Sequence, residues 1–367
     1  MTNEDVFKAL RNVQEPDLGK DIVTLNMVQD IAIEGNYVSF TVVLTTPACP
    51  LKDMIKNACI NSIKLINKDA VVNVKFTSNT TTKRSDAGAV LPKVKNIIAV
   101  VSGKGGVGKS TVAANLALAI SQGGAKVGLM DADIYGPSVP IMFGVRGERP
   151  LMIEIGEKGM IAPLERYGIK LMSIGLLVDE KSAVVWRGPM ASSAIRQFVT
   201  DVYWDELDYL IIDMPPGTGD IHLTLVQTVP VTGAVIVTTP QDVALADAKK
   251  GIAMFGQAQT NVPIIGLVEN MSYFIPPGGG AELPQTKYYI FGKEGGKRLA
   301  EEYDIPFLGQ IPLVQSIREG GDDGVPVMMG DDEISKRAFC DFAAHVVRSI
   351  SMRNANIEQA KVASVVS

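Results

Sequence analysis

The chain has 367 residues, 46% of them hydrophobic and 20% charged, with a formal net charge of −5. This length allows two domains with a sizeable core, and the acidic balance argues against broad nucleic-acid binding. No apolar run reaches the ~18–20 residues of a membrane helix and the acidic start lacks a signal-peptide pattern, so we expect neither a nucleic-acid nor a membrane partner.

Residues 1–80 predict a small α+β domain. The expected helices are 6–13 and 51–66, and the expected strands are 22–25, 38–44 and 71–76. The last of these strands alternates as an edge strand does. Residues 81–95 then become polar and predict a linker.

Residues 96–352 alternate between apolar strands and helices, which predicts an α/β domain with a mostly parallel, doubly wound sheet. The expected strands are 97–101, 126–130, 170–174, 208–213, 233–238 and 263–268, with helices that include 190–203 and 242–258. Ligands of such sheets bind at the carboxyl ends of the strands. We expect 353–367 to be a flexible tail.

A phosphate loop follows the first of these strands. Residues 103–110 match G-x-x-x-x-G-K-S at every position, and an apolar strand and a helical sequence flank them. The glycines let backbone N–H groups approach phosphates, Lys109 can reach the β- and γ-phosphates, and Ser110 can bind Mg²⁺. The expected nucleotide-binding residues here are Gly103, Lys104, Gly105, Gly106, Val107, Gly108, Lys109, Ser110 and Thr111.

The same glycines also spell G-x-G-x-x-G, which is the dinucleotide fingerprint, and Asp131 stands where a ribose-binding acid would lie. Two features favour a nucleoside triphosphate instead. Lys109 and Ser110 directly follow the last glycine, and a second apolar strand ends in Asp213 before a glycine-containing loop, 214–220. This pattern is typical of a Walker B strand that leads into a γ-phosphate-sensing switch, so we expect a P-loop protein that binds a nucleoside triphosphate with Mg²⁺.

Lys104 makes the loop resemble the deviant Walker A class, which includes MinD, ParA and the Mrp/ApbC proteins. Segments 133–138, 186–190, 213–220 and 269–272 resemble Mrp/ApbC in particular, which are ATPases implicated in carrying iron–sulfur clusters. Segments 15–19 and 45–50 are similar to the small iron–sulfur assembly domain often fused to them. The resemblance implies a homodimer in which Lys104 reaches the partner's nucleotide; the alternative is a solvated loop lysine.

The resemblance also implies roles for polar residues at strand ends. Asp133 would position the attacking water, which makes Lys104, Lys109 and Asp133 the expected catalytic residues. Asp131 and Asp213 would support Mg²⁺ together with Ser110. Asn270 would recognise adenine. The alternatives are helix-capping aspartates and an Asx turn.

The sequence departs from the family at one place. Mrp/ApbC proteins usually carry a Cys-x-x-Cys pair after the segment at 269–272, and here residues 274–284 contain no cysteine. Cys49, before a predicted helix that would lower its pKa, is the candidate cluster ligand or reactive thiol. Cys59 and Cys340 are expected in the core, and His222 and His345 are interpreted as structural. Three cysteines without close spacing fit a reducing cytoplasm.

We therefore expect an ATP-hydrolysing iron–sulfur cluster carrier that acts as a nucleotide-switched homodimer with client or scaffold proteins. Two alternatives stay open. One is a regulatory or scaffold ATPase that holds no cluster, and the other is a positioning ATPase like MinD or ParA. The last twelve residues have one lysine, unlike a membrane-binding basic helix.

Overall fold

The computed structural model describes residues 1–80, 82, 90–178, 188–257, 260, 262–276 and 286–356. The chain divides into two compact units, Met1–Thr81 with Ser351–Ile357, and a second that includes Thr82–Ile350. Parts of the predicted linker and tail, Trp186 and Arg187 therefore lie outside the described residues. Residues 277–285 lie outside them too, and they include most of the segment where the family resemblance implies a cysteine pair.

The first unit is an α+β fold, as the sequence predicts. Its elements in chain order are α1 (Asn3–Leu10), β1 (Gln14–Glu15), β2 (Lys20–Asp21), β3 (Val28–Glu34), β4 (Tyr37–Leu44), α2 (Lys52–Ile66) and β5 (Val71–Ser78). The order β3-β4-β5 leaves β5 at an edge, as predicted, and β4 and β5 run parallel. Apolar residues of both helices and of the sheet form one buried core.

The predicted strand at 22–25 is wrong, because these residues form a turn. The Asp21 carboxylate accepts hydrogen bonds from the backbone N–H groups of Val23 (3.1 Å) and Thr24 (2.8 Å). Asn26, directly after residues 22–25, has a φ of 54°, in the left-handed region typical of turns. A short polar side chain thus satisfies the backbone locally and competes with strand pairing.

The second unit holds a large sheet. The elements of this unit are β6 (Val94–Val101), α3 (Lys109–Gln122), β7 (Val127–Asp131), α4 (Val139–Met142), β8 (Met152–Ile155), β9 (Lys158–Ile161), β10 (Leu164–Arg166), β11 (Ile169–Ser173), α5 (Gly188–Thr200), β12 (Leu207–Asp213), α6 (Asp220–Thr228), β13 (Gly233–Thr238), α7 (Asp242–Gly256), β14 (Ile264–Glu269), α8 (Gly295–Glu302), β15 (Phe307–Gln310), α9 (Gln315–Asp323) and α10 (Glu333–Asn356). The last residues of α10, from Ser351 onward, group with the first unit.

Eight strands pair in the order β10-β11-β7-β12-β6-β13-β14-β15, and only the edge strand β10 runs antiparallel. The mostly parallel sheet predicted from the sequence is confirmed. The chain leaves β6 toward β7 and later crosses to β13 on the other side, so the strand order reverses at β6. In open α/β sheets this is the place where ligands bind.

Several boundaries differ from the predictions. β6 begins at Val94, so the last two residues of the predicted linker belong to a strand. α10 continues to Asn356, so the predicted tail at 353–367 begins four residues too early, and Arg353 and Asn354 are buried. The β8–β9 hairpin and β15 were not predicted. Within the part of the chain that the structure describes, no helix is long and apolar enough to cross a membrane.

Candidate nucleotide site

The phosphate loop joins β6 to α3, and three of its glycines are required by backbone geometry. Gly106 and Gly108 have φ values of +83° and +78°, which side-chain-bearing residues rarely adopt. A Cβ on Gly103 would lie 2.1 Å from the Asp247 carbonyl in α7. α3 begins at Lys109, so its free N–H groups and dipole face the loop, as an anion site requires.

Lys109 is the charged centre of the site. Its side chain is 6% exposed, and Nζ lies 2.5 Å from Oδ1 of Asp213 and 3.9 Å from Oδ2 of Asp133. Nζ also donates to the Ser110 hydroxyl at 3.2 Å. The predicted residues from the phosphate loop and from two strand ends therefore meet at one ammonium group.

Asp213 is fully buried, and its second oxygen, Oδ2, has no hydrogen-bond partner among the described residues. Buried polar atoms are nearly always satisfied. Within the described part of the chain, Oδ2 of Asp213 is thus a free carboxylate oxygen beside a phosphate loop. Such an oxygen suits Mg²⁺ or its bound waters, because hard cations bind carboxylate oxygens.

Asp131 owes its position to strand register. Asp131, Asp213 and Ser173 are paired neighbours on β7, β12 and β11. Both oxygens of Asp131 are engaged, since they accept from Ser173 Oγ (3.0 Å), Val139 N (3.3 Å) and Asp133 N (3.1 Å). Burial, and then the neighbouring Asp213, raise the pKa of Asp131. Asp131 therefore anchors Asp133 and the start of α4.

Asp133 is partly exposed and lies two residues beyond the end of β7. Burial raises its pKa, Lys109 lowers it, and Asp213 raises it further. A carboxylate that is held near a lysine and remains open to solvent can orient a water molecule.

A loop from Met214 to Gly219 connects β12 to α6 and is held at three points, besides the turn bond at the start of α6 from His222 N to Gly219 O (3.0 Å). Met214 N donates to Val100 O (3.1 Å) and Gly217 N to Ser102 O (3.0 Å), which ties it to the strand that carries the phosphate loop. The third point is Pro215, whose buried carbonyl accepts from Nε2 of His222 at 3.0 Å. This segment is called the switch loop below.

Asn270 follows β14 and contacts the phosphate loop. It is 6% exposed, and its Nδ2 donates to Val107 O at 2.8 Å. The preceding Glu269 is fully buried and accepts from Gly296 N (2.6 Å), Gln310 Nε2 (2.9 Å) and the Ser272 hydroxyl. One of the two Nδ2–H groups of Asn270, the residue predicted to recognise adenine, therefore already donates to the phosphate loop.

The remaining predicted loop residues are accessible. Lys104, Ser110 and Thr111 are each half-buried, and Gly105 has open space around it. Ser102 Oγ donates to Lys104 O at 2.9 Å, which shapes the entry to the loop.

The cysteines differ from two predictions. Cys49 is half-buried just before α2, but its pKa is raised, because burial and the carboxylates Glu15 and Asp17 outweigh the stabilising backbone hydrogen bond. The predicted lowering by a helix N-terminus is therefore wrong. Cys59 is buried as expected, and burial raises its pKa to about 12. Cys340 is exposed, so its predicted core position is wrong.

Sequence reasoning missed Ser173, Glu269 and the His222 contact. Ser173 could have been found from its place at the end of a strand adjacent to β7. The other two depend on tertiary contacts with partners whose positions no local pattern gives.

Two family models cover the chain. Residues 93–347 match the model described as ParA, the NUBPL iron-transfer P-loop NTPase, and residues 3–76 match an iron–sulfur cluster assembly protein model.

Relatives match over nearly the whole length. An iron–sulfur cluster carrier protein of Synechocystis is 49% identical over 96% of this chain and 99% of its own. The carrier of that name from Escherichia coli K12 is 45% identical over 89% and 86%. Among solved structures, a nucleotide-binding protein from Archaeoglobus fulgidus in complex with ADP is 41% identical over 64% of this chain and 88% of its own, with a TM-score of 0.55.

Proposed function

Because the chain belongs to the iron–sulfur cluster carrier family of P-loop NTPases, we propose that it is a Mg²⁺-dependent ATPase. It works as a homodimer in the cytoplasm and carries an iron–sulfur cluster to client proteins. The observation that supports hydrolysis best is the convergence of Lys109, Asp213 and Asp133 beside a phosphate loop.

Each of these side chains has a distinct task in the proposal. Lys109 leaves Asp213 for the phosphates of ATP and neutralises their charge. Asp133, at the edge of the site, orients a water molecule for attack. Ser110 and the unpaired oxygen of Asp213 would hold Mg²⁺ and its waters, which would supply positive charge beside the phosphate oxygens. Asp131 supports this group through its hydrogen bond to Asp133 N.

Asn270 recognises adenine through its Oδ1 and its second Nδ2–H, because the first Nδ2–H donates to the Val107 carbonyl. Lys104 acts across the dimer on the partner's nucleotide, as an arginine finger does in other NTPases. Lys104 is only half-buried, so its side chain remains accessible, as this role requires. The relatives named iron–sulfur cluster carrier proteins support the proposal that the cargo is an iron–sulfur cluster.

Hydrolysis is tested by ATP turnover of the full chain with Mg²⁺ and with EDTA. Asp133→Ala should keep ATP affinity and lower kcat by about 100-fold, within the usual range for losing an acid–base group. Asp341→Ala is the matched control, because Asp341 is exposed on α10, which contributes no residue to the site described above. Wild-type turnover in Asp133→Ala would refute the role of Asp133, and no turnover in the wild type would refute the ATPase.

The cluster site is the second part of the proposal. With no cysteine at 273–290, we propose Cys49 as the thiol ligand, and two subunits supply two such thiols. Deprotonation is opposed by its raised pKa, so iron has to displace the proton.

Anaerobic reconstitution with iron and sulfide tests this, with cluster absorbance and iron per dimer as readouts. Cys49→Ala should lose the cluster, and the matched control Cys340→Ala, at an exposed thiol, should keep it. A cluster retained in Cys49→Ala would exclude Cys49 as the ligand. No cluster in the wild type, with ATPase intact, would favour the second candidate, a regulatory ATPase, which the missing cysteine pair supports.

A further inference from the structure

His222 is a buried imidazole that the proposed mechanism does not use. It is 1% exposed and lies in the first turn of α6. Its Nε2 lies 3.0 Å from the Pro215 carbonyl oxygen. Because a carbonyl can only accept, Nε2 carries the hydrogen and donates it. The other ring nitrogen, Nδ1, is buried with no partner among the described residues.

The surroundings of His222 favour the neutral form of the ring. Burial lowers the pKa of His222, and the nearby Lys109 charge lowers it further, although the Pro215 and Gly219 carbonyls oppose this effect. A neutral donor suits a buried carbonyl without adding a second cation near Lys109. The contact is therefore a fixed hydrogen bond between α6 and the switch loop.

α6 is a rigid support for this contact. Ile221, Leu225 and Val226 pack in the main core of the second unit. Thr224 of α6 also shares a hydrogen bond with Ser192 of α5 at 3.0 Å. The His222 side chain thus ties the switch loop to a helix whose position is fixed by packing.

The Pro215 carbonyl is two residues from Asp213, the partner of Lys109. The two other anchors of the switch loop are backbone bonds to the β6 strand and its end. We propose that His222 is a positioning residue for hydrolysis, which acts through the Pro215 carbonyl to hold the switch loop and Asp213. The inference rests on the proposed ATPase function.

Two amide variants distinguish the effect of losing the hydrogen-bond donor from the effect of losing the imidazole ring. His222→Gln places an amide where Nε2 lies and can still donate to Pro215, while His222→Asn places it near Nδ1 and cannot reach. His222→Gln should keep kcat within about twofold, and His222→Asn should lower it about tenfold, as expected for one lost buried hydrogen bond. KM for ATP should stay unchanged in both, because the phosphate loop is not touched.

A readout independent of turnover is hydrogen exchange of the peptide over 209–222. Exchange in the switch loop should be about tenfold faster in His222→Asn and unchanged in His222→Gln. Equal kcat in the two variants, a KM that rises as kcat falls, or unchanged exchange in His222→Asn would overturn the inference. If the wild type hydrolyses no ATP, the ATPase proposal fails, and the exchange experiment still decides whether His222 holds the switch loop.

Discussion

Replacing Lys109 by Met should destabilise the second unit before any nucleotide is considered. The variant keeps an unbranched apolar stem and removes the ammonium group that lies 2.5 Å from Asp213. Both partners are buried, at 6% and 0% exposure. Removing one partner of a buried pair leaves an uncompensated charge, so the free energy of unfolding should fall by about 3–5 kcal/mol.

The matched control is the double variant Lys109→Met with Asp213→Asn, which removes both charges while keeping similar shapes. It should recover most of the lost stability, because replacing a whole buried pair is often close to neutral. Denaturant unfolding followed by tryptophan fluorescence measures this, since both tryptophans, Trp186 and Trp204, belong to the sequence of the second unit.

Two results would refute the reasoning. A loss below about 1 kcal/mol in Lys109→Met would be typical of an exposed pair and would contradict the burial described here. A double variant no more stable than the single one would show that packing of the lysine stem, and not the unpaired carboxylate, carries the effect. Neither variant should bind ATP tightly, because both lack the phosphate-binding ammonium group.

Three further predictions follow from the same structure. Gly103→Ala should lose about 2–3 kcal/mol of unfolding free energy in denaturant, because its Cβ would overlap the α7 backbone, while Gly105→Ala should be near neutral since nothing lies within 4 Å. Because burial lowers the folded pKa of His222 below its ordinary value of 6.5, the unfolded chain binds the proton first. Wild-type stability should therefore fall as pH drops below about 6.5 more steeply than in His222→Gln, and parallel melting curves would contradict this. Maleimide should label the exposed Cys340 faster than the half-buried Cys49, as peptide mass spectrometry can show, and the reverse order would contradict the assigned burial.

The phosphate loop could be predicted because its determinants are local. Glycines with positive φ, a strand before them and Lys109 after them all lie within a few residues. Asp131 and Asp213 could be predicted as neighbours because carboxyl ends of parallel strands meet at one edge of a sheet.

The remaining features depend on contacts distant in sequence. The turn after Asp21 follows from side-chain hydrogen bonds that compete with an apolar run. The exposed face of α10 that carries Cys340 is set by which side of the helix packs. The raised pKa of Cys49 comes mainly from burial and from Glu15 and Asp17, more than thirty residues away, which a helix-terminus argument cannot include.

The alignment of Ser173, Asp131 and Asp213 across three adjacent strands limits where the chain tolerates insertions. One extra residue within β7 or β12 would turn its terminal carboxylate to the opposite face of the sheet. The β8–β9 hairpin belongs to a separate two-stranded sheet, and its turn at Gly156 already adopts a φ of +64°. A tag or fluorescent reporter placed at that turn would leave the spacing of the carboxylates intact, whereas one placed inside the large sheet would not.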